Sequence, residues 1–505
     1  MLSKRMSRRD LLRLSAVAGG ATILAACQPQ VVEKIVKETV VVEKEKLVEK
    51  EKVVKETVVQ KEVVKETVQV EKMVTAVPKV VAKAAAEVSM MMFGGELSDD
   101  EIKQYNTDHA PTKLSRLDPD QVRYYAMLAA GNPPDMYRIQ APEVPSLLAR
   151  GIPLDLTPYF EVSKYLKIDD LAPANNFYKA DSPLDIGKGK IWGMVKDWSP
   201  DCTIWVNKLI FQKAGVPVPS ETKPMTYEEV AQLAHKLTKK QGDRVLIWGT
   251  GMEYGWVDRY WEVWLEAIGK SLFSNDFSKF LLQGNDDAVK TVKYWYDLAK
   301  DNSLQNVLSP SPRGWPGPDF LAGQIAMTEY GFWFSGMVTG TANTETGMEG
   351  DNKGQAIMIP APLWTDKGKR ISTTITATGA IVSRITKSPD AAWDMFEWYN
   401  GREPALTRAK GGWGVPGLKS FYQYIPEYNE ERKQVKKVLM EEIKVSDFVV
   451  RFNPFIKGGE PGAVGAAFAS SWERTLKGEL SFDQLIGNIQ KEVDVAVKEG
   501  MARIL

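Results

Sequence analysis

Histidine and cysteine are nearly absent from this 505-residue chain, with 2 of each, and neither sign of charge is in excess, 65 Lys+Arg facing 65 Asp+Glu. Two cysteines cannot build a disulfide framework, and two isolated histidines cannot build a histidine-rich metal site. A net charge of zero supplies no pull on a polyanion, so nucleic acid is not an expected partner. Long hydrophobic runs are missing from the N-terminus: the apolar stretch from Ser15 to Ala26 spans 12 residues, whereas a membrane-spanning helix needs about 20. Nucleophile signatures are missing as well. There is no Gly-x-Ser-x-Gly, and so few histidines speak against a Ser-His-Asp hydrolase. Gly269-Lys270-Ser271 has the ending of a phosphate-binding loop, but position 264 is Trp rather than Gly, so the glycine cradle is lacking and the chain is not an ATPase. His109 in a polar run and His235 beside Lys236 read as partly exposed side chains, and Cys202 as a small buried one. No cofactor and no catalytic residue is expected.

What is present starts with an address. Ser7 to Leu14 reads Ser-Arg-Arg-Asp-Leu-Leu-Arg-Leu, and the apolar run after it ends at Cys27. Arg8-Arg9 resembles the twin-arginine export pattern, and Leu24-Ala25-Ala26-Cys27 resembles the bacterial lipobox, whose cysteine is diacylated and becomes the first mature residue. Residues 1–26 are therefore expected to be a signal peptide, leaving 505 − 26 = 479 residues. A lipid on Cys27 would anchor them to the outer face of the cytoplasmic membrane, periplasmic or at the cell surface.

Residues 27–86 are expected to be a low-complexity tether. From Val31 to Val77 near-repeats of Val-Val-Lys-Glu-Thr-Val carry ten Lys and ten Glu. Valine pairs recur at 53/54, 58/59 and 63/64, a spacing that keeps one face apolar neither in a helix nor in a strand. Without aromatics the segment buries little and reads as a solvated, extended or partly helical spacer. A coiled-coil stalk would need a sustained heptad, and none is visible.

From Glu87 onward the texture is α/β. Asp118-Pro119 predicts a helix start that Gly131 and Pro133-Pro134 end. Thr226 with Glu229 forms a capping box ahead of Val230, Leu233, Ala234 and Leu237 on one face, Ser388-Pro389 starts a helix that Gly401 ends, and Ser481 with Gln484 starts another. Short apolar runs at 191–195, 203–206, 355–359 and 377–382 predict strands between them. Alternation of this kind argues for α/β layers.

Four ordered blocks of this region resemble the extracellular solute-binding proteins of ABC importers, in the carbohydrate group related to maltodextrin-binding protein. The first is Met127-Leu128-Ala129-Ala130-Gly131 leading to Pro134-Asp135. The second runs from Ile191 through Val206-Asn207-Lys208, Phe211, Ala214-Gly215 and Pro224-Met225-Thr226-Tyr227-Glu228-Glu229, with Val206 and Tyr227 where the family usually has Tyr and Trp. The third is Phe320 to Met327 ending in Gly331-Phe332-Trp333, and the fourth joins Ala391-Ala392-Trp393 to Gly411-Gly412-Trp413-Gly414-Val415-Pro416. The resemblance implies a two-lobe periplasmic-binding-protein fold of type II, with residues 87–200 plus 375–412 as lobe 1 and 201–374 plus 413–505 as lobe 2. It places the crossings near Asp197 to Thr203, Ser372 to Thr378 and Gly411 to Pro416. It further implies hinge closure on a solute in the cleft and delivery to ABC transporter permease subunits, a binding role rather than an enzymatic one.

A sugar offers C–H faces to aromatic rings and hydroxyl edges to directed polar groups. All fifteen Trp lie beyond residue 191, many near the implied crossings. The resemblance puts Trp333 at the family's stacking position and Trp256 and Asp258 in a contact loop of the same lobe. Trp198 and Asp201 fall at the first crossing, Trp413 at the last, and from the other lobe Arg138 to Pro142 follows the Pro-Asp strand and Phe93-Gly94-Gly95 the first strand. Trp261, Trp264, Trp295, Trp393 and Trp398 sit at helical spacing and read as core. A surface-anchored glycoside hydrolase would also use Trp and paired carboxylates, and a carbohydrate-binding adhesion module would explain the tether, but no block resembles a hydrolase signature.

Overall fold

The computed structural model describes residues 40–43, 65–68, 85–341 and 344–504. The expected signal peptide, Cys27 and most of the expected tether lie outside the described residues. Within the charged segment, Val40–Glu43 pairs antiparallel with Lys65–Val68, Val40 opposite Val68.

The globular part is built on two five-stranded sheets, one per lobe. Its principal strands are β1 (Glu87–Met91), β2 (Lys113–Leu117), β3 (Met136–Ile139), β4 (Gly193–Val195), β5 (Ile204–Asn207), β6 (Lys239–Gln241), β7 (Arg244–Gly251), β8 (Ile325–Glu329), β9 (Ala356–Ile359) and β10 (Gly379–Val382). The first sheet runs β2-β1-β3-β10-β4 and the second β6-β7-β8-β5-β9. β1 is parallel to β2 and β3, whereas β10 enters antiparallel between β3 and β4. β5 is antiparallel to both β8 and β9. The chain therefore changes sheet between β4 and β5 and returns between β9 and β10. A third passage brings Val415–Pro416 antiparallel to Asp197–Trp198. This is the type II two-lobe fold that the resemblance implied.

The third passage ends later than expected. Gly417 O accepts from Ala172 N at 2.9 Å and from Asn175 Nδ2 at 2.8 Å, and Ser420 donates through N and Oγ to Asp170. Leu418 packs in the core of the first lobe. Contacts hold the stretch through the Lys419–Tyr424 turn to that lobe, beyond the residue 413 boundary, because the turn supplies apolar cover there.

Helix punctuation follows local chemistry. Thr226 Oγ1 accepts from Glu229 N at 3.2 Å while Glu229 Oε2 accepts from Thr226 N at 2.7 Å, closing the box that starts the helix Tyr227–Leu237. Val230, Ala234 and Leu237 are buried and Leu233 half-buried. That helix lies directly on β7: a Cβ on Gly249 would come 1.9 Å from Ala234 O. Ser481 and Gln484 cap Phe482–Ile504 in the same reciprocal way. The helix Gln121–Ala129 starts two residues later than Asp118-Pro119 predicted. Its cap is Asp120, whose Oδ1 accepts from Arg123 N at 2.9 Å, the three-residue reach that Asp118 lacks.

Trp261, Trp264, Trp295 and Trp398 are buried and Trp393 is half-buried. His109 departs from the exposed reading: it is buried, stacked on Tyr105 at 4.1 Å with Nδ1 2.5 Å from Asp394 Oδ2, because the helix end turns it under the first lobe. His235 stays largely exposed beside Asp301. Cys202 is buried, and burial, with Glu329 and Asp201 nearby, pushes its thiol well above the usual range, so it is no ready nucleophile.

Asp201 ties two passages together. Its Oδ2 accepts from Thr374 Oγ1 and the Ile375 and Thr376 amides, each at 2.9 Å, and from Thr376 Oγ1 at 2.7 Å. Replacing it by Ala leaves these buried donors without an acceptor, and each unmet donor carries a desolvation penalty. The Asp201→Ala variant is expected to lose at least about 3 kcal/mol of stability in urea unfolding. A loss below about 1 kcal/mol would show that water or relaxation replaces the carboxylate.

Candidate functional site

Between the lobes lies a cavity of about 220 Å³, lined by Glu96, Arg138, Gln140, Lys196, Asp197, Trp198, Ser199, Trp256, Trp333, Thr376, Thr378, Trp413 and Glu460. Both lobes and all three passages contribute. Glu96 comes from the loop after β1, and Arg138 and Gln140 from the end of β3. Lys196 to Ser199 form the first passage, Thr376 and Thr378 the return, and Trp413 the third.

The polar side is an ion-paired network. Glu96 Oε2 receives Arg138 Nε at 2.7 Å and Oε1 lies 3.2 Å from Lys196 Nζ, which also bonds Asp197. The Arg138 guanidinium lies 5.0 Å from the Phe93 ring centroid. Burial would raise the Glu96 carboxyl, but the Lys196 and Arg138 charges outweigh it and hold the group at about 2. Burial likewise opposes the charge on Arg138, and Glu96 overcomes it and raises the guanidinium. A carboxyl held this low is ionised at neutral pH and cannot serve as a general acid.

The aromatic side belongs mainly to the second lobe. Trp256 and Trp333 meet at 6.3 Å with planes 72° apart, and Trp333 lies 6.2 Å from Trp315 at 28°. Trp333 is placed from behind: its amide donates to Ser199 Oγ at 2.9 Å, and a Cβ on Gly331 would sit 2.4 Å from Ser199 Cβ. The glycine lets this loop press on the first passage. Trp256 Nε1 donates to Glu460 Oε1 at 2.5 Å. Trp413 is 42% exposed, at the rim. It follows Gly412, whose φ of 67° is left-handed. Trp198 lines the cavity but is itself buried, its Nε1 donating to Pro416 O at 3.2 Å.

The structure thus brings together Trp333, Trp256, Trp413, Trp198 and Arg138, and it leaves Asp201 and Asp258 out. Asp201 is fully buried behind the wall, consumed by the return passage, and burial raises its carboxyl against the pull of Thr376, Ile375 and Thr374. Asp258, in the first turn of the helix Val257–Glu266, faces a separate void of about 30 Å³ shared with Glu262 and Arg451, and burial raises its carboxyl too. Gln140 falls in the 138–142 stretch that the sequence offered, whereas Glu96, Lys196, Asp197, Ser199, Thr376, Thr378 and Glu460 were not singled out. Lys196-Asp197 adjoins Trp198 in a passage already identified and was open to inference; Glu460 meets Trp256 across 204 residues and was not.

The network has a signature in acid. With a folded pKa near 2 against the ordinary 4.5, Glu96 stabilises the fold above pH 4.5, and that stabilisation fades as pH falls toward 2. Glu96→Gln is expected to be less stable than wild type at pH 6 by about 3 kcal/mol, with the difference shrinking steadily below pH 4.5 in denaturant titrations. A difference independent of pH would mean that packing rather than charge carries the effect.

The model of the family described as bacterial extracellular solute-binding protein matches residues 113–405. No curated protein matches the chain. Among solved structures, the ABC substrate-binding protein Lmo0181 from Listeria monocytogenes, in complex with cycloalternan, is 18% identical with a TM-score of 0.63, over 83% of this chain and 100% of that one. Maltose-bound MalE3 of T. maritima is 16% identical with a TM-score of 0.60, over 81% and 99%. A solute-binding protein from Agrobacterium vitis with bound D-mannitol is 17% identical with a TM-score of 0.60, over 83% and 98%. Likeness at this identity speaks for the fold, and the family match spans more than half of the sequence. Among the described residues no helix is long and apolar enough to cross a membrane. A cavity walled by both lobes, the type II strand order and the family match agree: the chain belongs to the bacterial extracellular solute-binding proteins.

Proposed function

We propose that this protein is a lipid-anchored receptor that captures a neutral sugar or oligosaccharide in the interlobe cavity and delivers it to the permease subunits of an ABC transporter. The observation that carries the reading is the cavity's division into an aromatic side, Trp256, Trp333 and Trp413, and an ion-paired polar side, Glu96, Arg138, Lys196 and Asp197. Rings take the C–H faces of a sugar while the opposite groups address its hydroxyls. Because the charges are already paired with one another, the site offers an uncharged ligand many hydrogen bonds without asking it for a counter-ion. The related folds with cycloalternan, maltose and D-mannitol support a carbohydrate or polyol as the class. In this reading residues 1–26 are the export signal, Cys27 carries the lipid, 27–86 are the tether, and the lobes comprise 87–200 plus 375–424 and 201–374 plus 425–505.

Thermal denaturation against a panel of mono- and oligosaccharides tests the ligand class. A ligand at 100 times its dissociation constant adds about 2.7 kcal/mol, a clear rise in midpoint. One sugar is expected to raise the midpoint, change tryptophan fluorescence and be recovered unchanged. Trp333→Ala should weaken its binding at least about tenfold, in line with loss of a central aromatic contact, measured well below the variant's own midpoint because the ring also packs on Trp256, Trp315, Tyr330 and Phe334. Cleavage products would instead establish a hydrolase, and silence across the panel would rule out neutral sugars. The anchor has its own test: in the native bacterium Cys27→Ser is expected to move the protein from the membrane fraction to the soluble one, and unchanged membrane association would remove the lipid from the proposal.

A further inference from the structure

Arg259 is fully buried and does not line the cavity, yet its contacts reach three of the cavity's walls. Its Nη1 donates to Gln140 Oε1 at 2.8 Å, in the first lobe, and to Ile375 O at 3.3 Å, in the return passage. Its Nη2 donates to Gly459 O at 3.2 Å and lies 3.5 Å from Glu460 Oε1. The guanidinium is 5.8 Å from the Trp256 ring centroid. Gly459 and Glu460 belong to the loop between the helices Glu430–Ile443 and Ala463–Leu476, both of the second lobe. This loop reaches to the first lobe, for a Cβ on Gly458 would come 2.1 Å from Pro142 O.

A buried guanidinium held largely by neutral acceptors is an expensive way to fill space, since an apolar side chain would pack there without a desolvation penalty. Among the described residues the one carboxylate within ion-pair distance is Glu460, itself 44% exposed, while the buried Glu143 and Asp258 act on the guanidinium from farther off. The arrangement is favourable only while Gln140, the return passage and the loop converge on one point. Separating the lobes would draw Gln140 and Pro142 away and let water reach Arg259. A group that is satisfied in one lobe arrangement and differently solvated in another biases the equilibrium between them.

We propose that Arg259 is a positioning residue that fastens the 457–462 loop across the cleft as a clasp, and so sets how long a ligand stays without touching it. The clasp rests on the reading of the cavity as a ligand site. Hydrogen exchange of the ligand-free full chain tests it directly, in wild type and in Arg259→Lys, Arg259→Met and Gly458→Val. The amides to follow are Glu143, bonded to Gln140 O, and Ala463, bonded to Lys457 O. Arg259→Met and Gly458→Val are expected to speed exchange at both at least tenfold, with β5 and β8 unchanged and Arg259→Lys in between. With maltose as probe, followed by tryptophan fluorescence, the same two variants should dissociate at least tenfold faster with association altered less than twofold. Unchanged exchange at Glu143 and Ala463, or loosening that spreads through β5 and β8, overturns the clasp, as does an unaltered dissociation rate. Should wild type bind no maltose, that result bears on the ligand alone, and the exchange pattern decides the clasp by itself. Should Arg259→Met not fold, Gly458→Val, which keeps the guanidinium, decides it.

Discussion

The carboxylate of Asp201 is the point on which the site depends. One of its oxygens gathers two amides and two hydroxyls of the return passage, while Asp201 itself sits in the first passage. Between the β4–β10 and β5–β9 ladders the two passages share only sparse backbone bonds, Lys196 N to Thr378 O at 3.0 Å and Asp201 N to Thr373 O at 3.1 Å, and a buried acceptor with several donors reinforces that register. Its second oxygen has no partner and faces Gly331, where a Cβ would come within 2.7 Å. The return passage carries its own constraint: Ala377 has φ of 39°, and its carbonyl accepts from Tyr178 OH at 2.8 Å. From this junction Lys196 to Ser199 project on one side and Thr376 and Thr378 on the other, so both passages face one cavity.

The cavity then resolves a problem of charge. Glu96, Arg138, Lys196 and Asp197 are largely buried, and each would be unfavourable there alone. Paired, Glu96 and Arg138 are held in their ionised forms, and all four groups remain tied into one hydrogen-bonded network. The aromatic wall opposite needs no such compensation, and its rings are positioned by backbone contacts behind them, as the Trp333 amide shows with Ser199 Oγ. A rigid polar wall and a rigid aromatic wall on different lobes make recognition depend on the lobes meeting, which is how a hinge couples binding to shape.

Much of this was legible in the sequence, and the reasons for the exceptions are physical. Capping boxes such as Thr226 with Glu229 act over three residues, so they can be read locally, as can strands such as β5 and β10 from their apolar runs. Trp333 and Trp413 stood out because large rings beside glycines in loops have little packing reason to be there. Carboxylates gave no comparable sign. In the sequence Asp201 and Asp258 sit beside implied contact positions as a ligand-facing residue would, and only the tertiary structure buries one under the return passage and turns the other, in the first turn of a helix, toward a separate void. Glu96 was silent for the converse reason, since its partners arrive from 42 and 100 residues away (138 − 96 and 196 − 96). Asp120 displaced Asp118 as a cap by a margin of geometry that composition does not register.

The placement of β10 has a consequence for the order in which the molecule can assemble. It lies between β3 and β4 in the first sheet, yet it is synthesised after every strand of the second. The sheet begun first is thus completed last: β4 has no seat until residues 379–382 emerge. Until then β3 presents an unpaired edge, and a nascent chain with a waiting edge is slow to close and exposed to wrong partners. The interleaving that gives both lobes a share in every passage also makes the protein a single folding unit, finished only when nearly all of it is available.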